Sequence, residues 1–364
     1  MDNKANFLIY GSYGYTGNLI VQLSLKQGLK PVLGGRNKEK LVQQAHAMNL
    51  DYRVFDVNDV EQAKNILKEF IAVIHCAGPF WHTYKNMAQA CLEAQTHYLD
   101  ITGEVMVIEQ LMKMNEQAKS AGVMLLPGAG FDVVPSDCLA AHLKSRLPDA
   151  TELILAIGAT SSKTGSGPGF SRGTARTMME GISSGTMIRD KGILKKVPLS
   201  WKTRTFDFGS SKQLLCTTVS WGDLASAWWS TGIPHIETYM AFPKKMIRFN
   251  KLINPIKAIF NWAPVKRYLE HKVSRLPAGP SSEARQNSVA KIYGEVRNDA
   301  GEKRAALMTT PNGYELTALS TLAIMHKIIA GNAPAGFQTP SSAYTKDLVM
   351  DIPGVTLVDV IEGI

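Results

Sequence analysis

At 364 residues the chain is longer than one ordinary core requires, which predicts two domains, and 45% hydrophobic against 20% charged residues excludes a disordered polymer. No apolar run reaches the roughly 18 residues of a membrane span, and MDNKANFLIYG lacks the basic start and long apolar core of a secretion signal. Cys76, Cys91, Cys138 and Cys216 form no CxxC pair, which speaks against a zinc site and suits a reducing compartment, so a cytoplasmic location is expected.

The net charge of +9 is concentrated in one place. Between Lys244 and Arg275 there are nine Lys or Arg against one acid, Glu270, so the remainder of the chain is nearly neutral. That distribution argues against nucleic acid as a partner and for a local role of the charge.

In chain order, the first predicted element is the strand FLIYG (7–11), which breaks into Gly11, Gly14 and Gly17 and resumes as an amphipathic helix. Glycines at a strand-to-helix turn let the backbone fold tightly and approach a phosphate, while the helix start offers unpaired N–H groups and a positive dipole. The spacing is G-x-x-G-x-x-G. Tyr13 and Thr16 stand where GxGxxG requires glycine, and no GK[ST] follows. Gly11, Ser12, Tyr13, Gly14, Tyr15, Thr16 and Gly17 are therefore expected to cradle the pyrophosphate of a dinucleotide. The second strand, KPVLGGR (30–36), ends on Arg36 and Asn37, not on the acid that binds an NAD ribose. An arginine pairs with a 2′-phosphate that a carboxylate would repel, so NADP is the expected cofactor, with NADPH preferred over NADH.

The third strand, DYRVFD (51–56), brings Asp56 and Val57 to the adenine. The fourth, IAVIHCAG (71–78), closes on CAGPF, which places Ala77, Gly78, Pro79 and Phe80 near the nicotinamide ribose. HYLDITG (97–103) and GVMLLPGAG (122–130) are the fifth and sixth strands, and ligands of an open α/β sheet lie beyond the carboxyl ends of such strands. Hydride transfer often uses a positioned proton donor. Candidates at the right level are His82, Tyr84 and Asp100, with Glu104 nearby and with Tyr98, Gly103, Phe131 and Asp132 as substrate contacts. Each has an ordinary alternative: a core tyrosine, a surface histidine, an aspartate that caps a helix or braces a loop. No Ser-His-Asp order or metal cluster competes.

After residue 150 the texture changes. TELILAIGAT, LSWKTRTFDFG, KQLLCTTVSWGD and SVAKIYGEVRNDAGEKRAALMTT read as strands, with a hairpin turn at NDAG (298–301), around the small-residue stretch SSKTGSGPGFSRGTARTMMEG. The expected fold is α/β: a Rossmann-type doubly wound parallel sheet over 1–150 and a second, α+β domain with a mixed or antiparallel sheet over 151–310. Residues 311–364, including a helix ended by Gly331, are expected to pack back on the first domain. Within 228–272, large apolar residues interleave with the basic cluster. Such a segment suits an anionic membrane interface, and it equally suits a helical pair that covers a sheet or forms a homodimer contact.

GSYGYTG, GGRN, CAGPF, YLDITGE and PGAGFDVVPSD, in this order and spacing, resemble the saccharopine dehydrogenase-like oxidoreductases, in particular the branch of trans-acting enoyl reductases and the animal saccharopine dehydrogenase-like oxidoreductase. SRGTARTMMEG (171–181) and GFQTPSSAYTKDLV (336–349) extend the likeness over nearly the whole chain. It implies an NAD(P)-dependent oxidoreductase that reduces a carbon–carbon double bond of a small hydrophobic, acyl or lipid-like substrate. A saccharopine-type imine reductase is the alternative within enzymes, and a non-catalytic NADP sensor or membrane-docking protein the alternative outside them. Ser12-Tyr13, where relatives often read Ala-Thr, and Val133-Val134 after GFD depart from the pattern and bear on substrate identity.

Overall fold

The computed structural model describes residues 7–161, 171–182, 185–209 and 213–360, so most of the small-residue stretch before Ser171 lies outside the described residues. The chain packs as two units, one of residues 1–134 and 313–352, the other of 135–312 and 353–364.

The first unit is built on strands β1 (Phe7–Tyr10), β2 (Val32–Gly35), β3 (Tyr52–Val54), β4 (Ala72–His75), β5 (His97–Asp100) and β6 (Met124–Leu126). Helices α1 (Tyr15–Lys26), α2 (Lys38–Met48), α3 (Val60–Leu67), α4 (Tyr84–Ala94), α5 (Val105–Met112) and α6 (Asn115–Ala121) connect them. All pairs are parallel, and the order across the sheet is β3, β2, β1, β4, β5, β6 and a short seventh strand, Gly336–Phe337. Every residue of β1, β2 and β4 is buried, as expected for strands with helices on both faces, whereas the edge strand β3 is half-buried throughout. The strand order reverses between β1 and β4, and the space beyond their carboxyl ends is where such a sheet binds ligands. The helix Gly313–Ile329 returns to this unit: the Ser320 hydroxyl donates to the Ala129 carbonyl (2.7 Å), and the Tyr314 ring meets Tyr15 edge-on, with centroids 5.1 Å apart.

The second unit opens with α7 (Val134–Arg146), then β7 (Glu152–Ser161), α8 (Arg172–Ile182), β8 (Thr186–Asp190), β9 (Ile193–Val197), β10 (Thr203–Phe206) and β11 (Leu214–Thr218). It continues with α9 (Asp223–Thr231), β12 (His235–Ala241), α10 (Lys244–Ile253), a 3-10 turn (Asn254–Asn261), α11 (Ala263–Ser274), β13 (Ser288–Arg297) and β14 (Lys303–Pro311). Its sheet runs β10, β11, β12, β7, β13, β14 and the strand Thr356–Val360, with β8 and β9 off the side of β12. Among the described residues only the β12–β7 pair is parallel, so this sheet is mixed. The β13–β14 hairpin turns through Gly301 at φ +84°, in the NDAG sequence that marks it. α7 lies in this unit because Leu139 and Leu143 fill the space Gly294 leaves on β13, where a Cβ would come 2.6 Å from Leu143. Among the described residues no helix is long and apolar enough to cross a membrane.

Candidate dinucleotide site

The three opening glycines do different work. Gly11 has φ +82°, donates its N–H to the Gly34 carbonyl (2.8 Å), and would bring a Cβ to 3.0 Å from the backbone of Cys76 and Ala77. It permits the loop after β1 to lie directly on the loop after β4. Gly17 packs the first turn of α1 on that loop, since a Cβ there would stand 2.4 Å from the Gly11 carbonyl oxygen. Gly14 is different. Its φ of −69° and ψ of 164° suit any residue, and its Cβ would meet only the Gly11 oxygen, at 3.1 Å. Protein packing therefore leaves the side of Gly14 open. Gly14 is also the N-cap of α1, with no side chain closed over the first-turn amides and no acid in that turn. An open glycine at an uncapped, electropositive helix start fits a dinucleotide pyrophosphate. Ser12 is fully buried: its hydroxyl donates to Gln44 Oε1 (2.8 Å), and Gln44 Nε2 donates to the Ser12 carbonyl (3.0 Å). Its side chain ties the loop to α2 and is not available to a ligand, which corrects the expected direct contact.

At the end of β2, Arg36 is exposed and Asn37 caps α2, accepting from the Lys40 N–H (2.9 Å). The Tyr13 ring leans on Gly35, where a Cβ would come within 2.6 Å of it, and Lys40 Nζ stands 5.7 Å from the ring centre. Tyr13 and Lys40 line a shallow cavity of about 420 Å³ with Asn18, Gln43, Gln44 and Ala47. Lys40 escaped the sequence reading; its signal was a second cation one helical turn beyond Arg36. Asp56 is engaged locally, accepting from the Asn58 N–H and Nδ2 at 2.9 Å each. Val57 is buried and its N–H donates to the Tyr10 hydroxyl (3.2 Å), which burial pushes up to about 12.

Beyond β4 and β5, the Glu104 carboxylate holds the turn Phe80–His82 by accepting from the N–H of Phe80 (2.8 Å) and of Trp81 (2.9 Å). His75, absent from the expected site, is fully buried beneath it. Its Nε2 is 2.8 Å from Thr83 Oγ1, which donates to the Ala77 carbonyl, and burial pulls the imidazole down to about 3, so it is neutral. Two expected roles are overturned here. The Tyr98 hydroxyl donates to Asp100 Oδ2 (2.6 Å), while Asp100 Oδ1 accepts from the N–H of Thr102 and of Gly128 (2.9 Å each). Both residues have no exposed surface. Asp100 braces the ends of β5 and β6, and neither it nor Tyr98 can touch a substrate. Tyr84, at the start of α4, is buried with its ring 5.8 Å from Trp81, and burial raises its hydroxyl; His82 is exposed.

Asp132 is the ionisable group whose setting stands out. It is half-buried against Gly103, where a Cβ would come 2.7 Å from its Oδ2, and burial, with the charge of Glu104 added, pushes it up to about 7. Phe131 beside it donates its N–H to Thr317 Oγ1 (3.0 Å) and lays its ring on Gly313.

A parallel sheet of this order, with an open glycine at its first helix start and two cations at its second strand, defines a dinucleotide-binding domain of the Rossmann class. Residues 7–126 match the family model of the saccharopine dehydrogenase NADP binding domain. NADP is the dinucleotide that this domain family indicates. Among curated proteins the chain is similar to the saccharopine dehydrogenase-like oxidoreductase of Bos taurus, 24% identical over 162 residues, 39% of this chain and 38% of that one. It is 24% identical over 210 residues to a lipid droplet localized protein of Caenorhabditis elegans, covering 54% and 49% of the two chains. A Mycobacterium tuberculosis protein named as a trans-acting enoyl reductase is 26% identical over 189 residues, 49% and 44% of the two. The matched segments thus span about half or less of these relatives. Among solved structures, apo saccharopine dehydrogenase (L-Glu forming) from Saccharomyces cerevisiae aligns over 98% of this chain and 100% of that one, at a TM-score of 0.65 and 11% identity. At that identity the likeness is one of fold.

Proposed function

We propose that the protein is an NADPH-dependent reductase that saturates a carbon–carbon double bond of a hydrophobic acyl or lipid-like substrate, with Asp132 as the proton donor. The observation that carries this reading is the half-buried Asp132 carboxyl, raised to about 7 beside Glu104 at the strand ends. Bound NADPH supplies the hydride. Asp132, protonated in much of the population near neutral pH, delivers the proton to the neighbouring carbon and recovers one from water. Glu104 is held by the N–H groups of Phe80 and Trp81, and its charge adds to the burial that raises the Asp132 carboxyl. Arg36 and Lys40 hold the 2′-phosphate, and the open side of Gly14 receives the pyrophosphate.

The substrate class follows from what surrounds Asp132. Phe80 and Trp81 are held by Glu104, whose charge Asp132 feels, and Trp81 is 48% exposed. Phe131 is the residue beside Asp132, and its ring lies on Gly313, next to the Tyr314 that meets Tyr15. The only arginines of the first unit are Arg36 and Arg53, and Arg53 pairs with Glu69. With Arg36 assigned to the 2′-phosphate and Arg53 paired, the first unit offers a substrate with several carboxylates no further guanidinium, which favours an apolar one over a saccharopine-type imine. The names of the nematode and mycobacterial relatives support a lipid-related substrate met at a lipid surface.

The test is NADPH oxidation, followed by absorbance, against panels of enoyl thioesters, ketones and amino acid–keto acid pairs. Turnover is expected with long-chain enoyl substrates, and Asp132→Asn is expected to lower it about 10²–10⁴-fold with NADPH affinity retained. Turnover on the imine-forming pairs alone would overturn the substrate class. An Asp132→Asn enzyme of wild-type rate would overturn the assignment of the donor.

A further inference from the structure

The basic segment of the second unit is docked by one face and bare on the other. α10 is held from within: Ile247 and Ile253 are buried, Asn250 Nδ2 donates to Ser200 Oγ (3.3 Å), and the Asn254 side chain bonds both backbone groups of Leu199 (2.8 and 3.0 Å). A helix that merely covered the sheet would turn its remaining large apolar residues inward. It does the opposite. Met246, Phe249 and Leu252, three residues apart, form a stripe on the outer side at 45%, 55% and 76% exposure, and Ile256, Ile259 and Trp262 continue it through the following turn. Lys244, Lys245, Arg248 and Lys251 flank the stripe, exposed and with no acidic partner among the described residues. Lys196 and Lys257 line a shallow cavity of about 300 Å³ with Val197, Pro198 and Asn254, without an acid.

We propose that residues 244–262 dock this protein on the surface of an anionic phospholipid membrane. The apolar stripe enters the headgroup–acyl boundary, the flanking lysines and arginines meet the negative surface, and Lys196 and Lys257 hold a lipid phosphate. Charge selects this occupant. A symmetric dimer through the same patch would set the five cations of residues 244–262 in one copy against the same five of the other. Nucleic acid would satisfy the cations and leave Leu252, Ile256 and Ile259 in water. An anionic membrane matches both the charge and the apolar surface, and it does so whatever reaction the first unit performs.

The experiment is co-sedimentation of the full chain with vesicles of phosphatidylcholine, alone or mixed with phosphatidylserine. The wild type is expected to bind the mixed vesicles, to ignore the neutral ones, and to leave as salt rises from about 0.1 M to about 0.5 M. Each basic residue near the surface is worth about fivefold in binding, so Lys244→Glu, Lys245→Glu, Arg248→Glu and Lys251→Glu together should weaken it more than about 100-fold. Phe249→Ser with Leu252→Ser, both at exposed positions, should abolish insertion with NADPH binding and melting temperature unchanged. The proposal is overturned if the wild type fails to bind mixed vesicles at low salt, binds neutral ones equally, or if the serine variant binds as the wild type does. It is overturned equally if vesicles are ignored and the serine variant instead dissociates a dimer, which would make the patch a contact between copies.

Discussion

Gly14 and Gly17 are both glycines of one motif, yet substitution should affect them in opposite ways. At Gly14 the backbone is extended and an added Cβ meets one atom, the Gly11 oxygen at 3.1 Å, so a shift of a few tenths of an ångström accommodates alanine. Gly14→Ala should therefore cost at most about 1 kcal/mol of stability. At Gly17 the Cβ would stand 2.4 Å from the same oxygen and 3.1 Å from two further backbone atoms, so backbone, not a flexible side chain, must shift to admit it. Gly17→Ala should cost about 1–3 kcal/mol through overpacking. Cofactor binding should order the two differently. If the pyrophosphate takes even two charge-assisted amide bonds at the helix start, about 1.5–3 kcal/mol each, a side chain at position 14 that displaces it removes about 3–6 kcal/mol, or 10²–10⁴ in Kd. The assay is NADPH fluorescence titration beside thermal melts of both variants. A Gly14→Ala protein that melts like the wild type and binds NADPH within threefold of it would refute the placement of the phosphate.

Arg36→Ala should weaken NADPH by about 1–3 kcal/mol and leave NADH nearly unchanged, and Lys40→Ala should act in the same direction; equal losses for both cofactors, by the same titration, would remove the 2′-phosphate assignment. Turnover that depends on protonated Asp132 should decline as pH rises through about 7, and the decline should vanish from the residual activity of Asp132→Asn. The same carboxyl sets a stability trend. Its folded pKa lies above its unfolded one, so the acid stays protonated in the fold while the unfolded chain ionises, and stability is lost between about pH 4 and pH 7. Asp132→Asn should thus raise the melting temperature at pH 8 and not at pH 4, which calorimetry at the two pH values checks. Asp100→Asn turns a carboxylate that accepts three hydrogen bonds into an amide that cannot accept all of them in a fully buried site, and should cost about 2–4 kcal/mol in chemical unfolding.

Strand and helix periods, and glycines at the first turn, are local properties, and they sufficed to predict a parallel doubly wound sheet, a dinucleotide at its first helix start and, from Arg36 in place of an acid, NADP. The motifs GSYGYTG, CAGPF and YLDITGE carried the resemblance to the saccharopine dehydrogenase-like oxidoreductases in the same way, as short local patterns. Which side chains face a ligand is not local. Tyr98 and Asp100 stand in a strand end that reads as functional, and only the folded sheet shows them spent on each other and on the amides of Thr102 and Gly128. Asp132 and Glu104 are 28 residues apart in the chain, and no spacing rule joins them. Burial and the charge of Glu104, both consequences of packing, raise the Asp132 carboxyl. The basic segment makes the same point. Its amphipathic pattern allows either a cover or a docking surface, and the choice rests on which apolar residues the rest of the unit takes up. Ile247 and Ile253 go inward, while Phe249, Leu252 and Trp262 stay in water. A sequence states what each residue can do; the tertiary structure decides which of its neighbours leaves it free to do so.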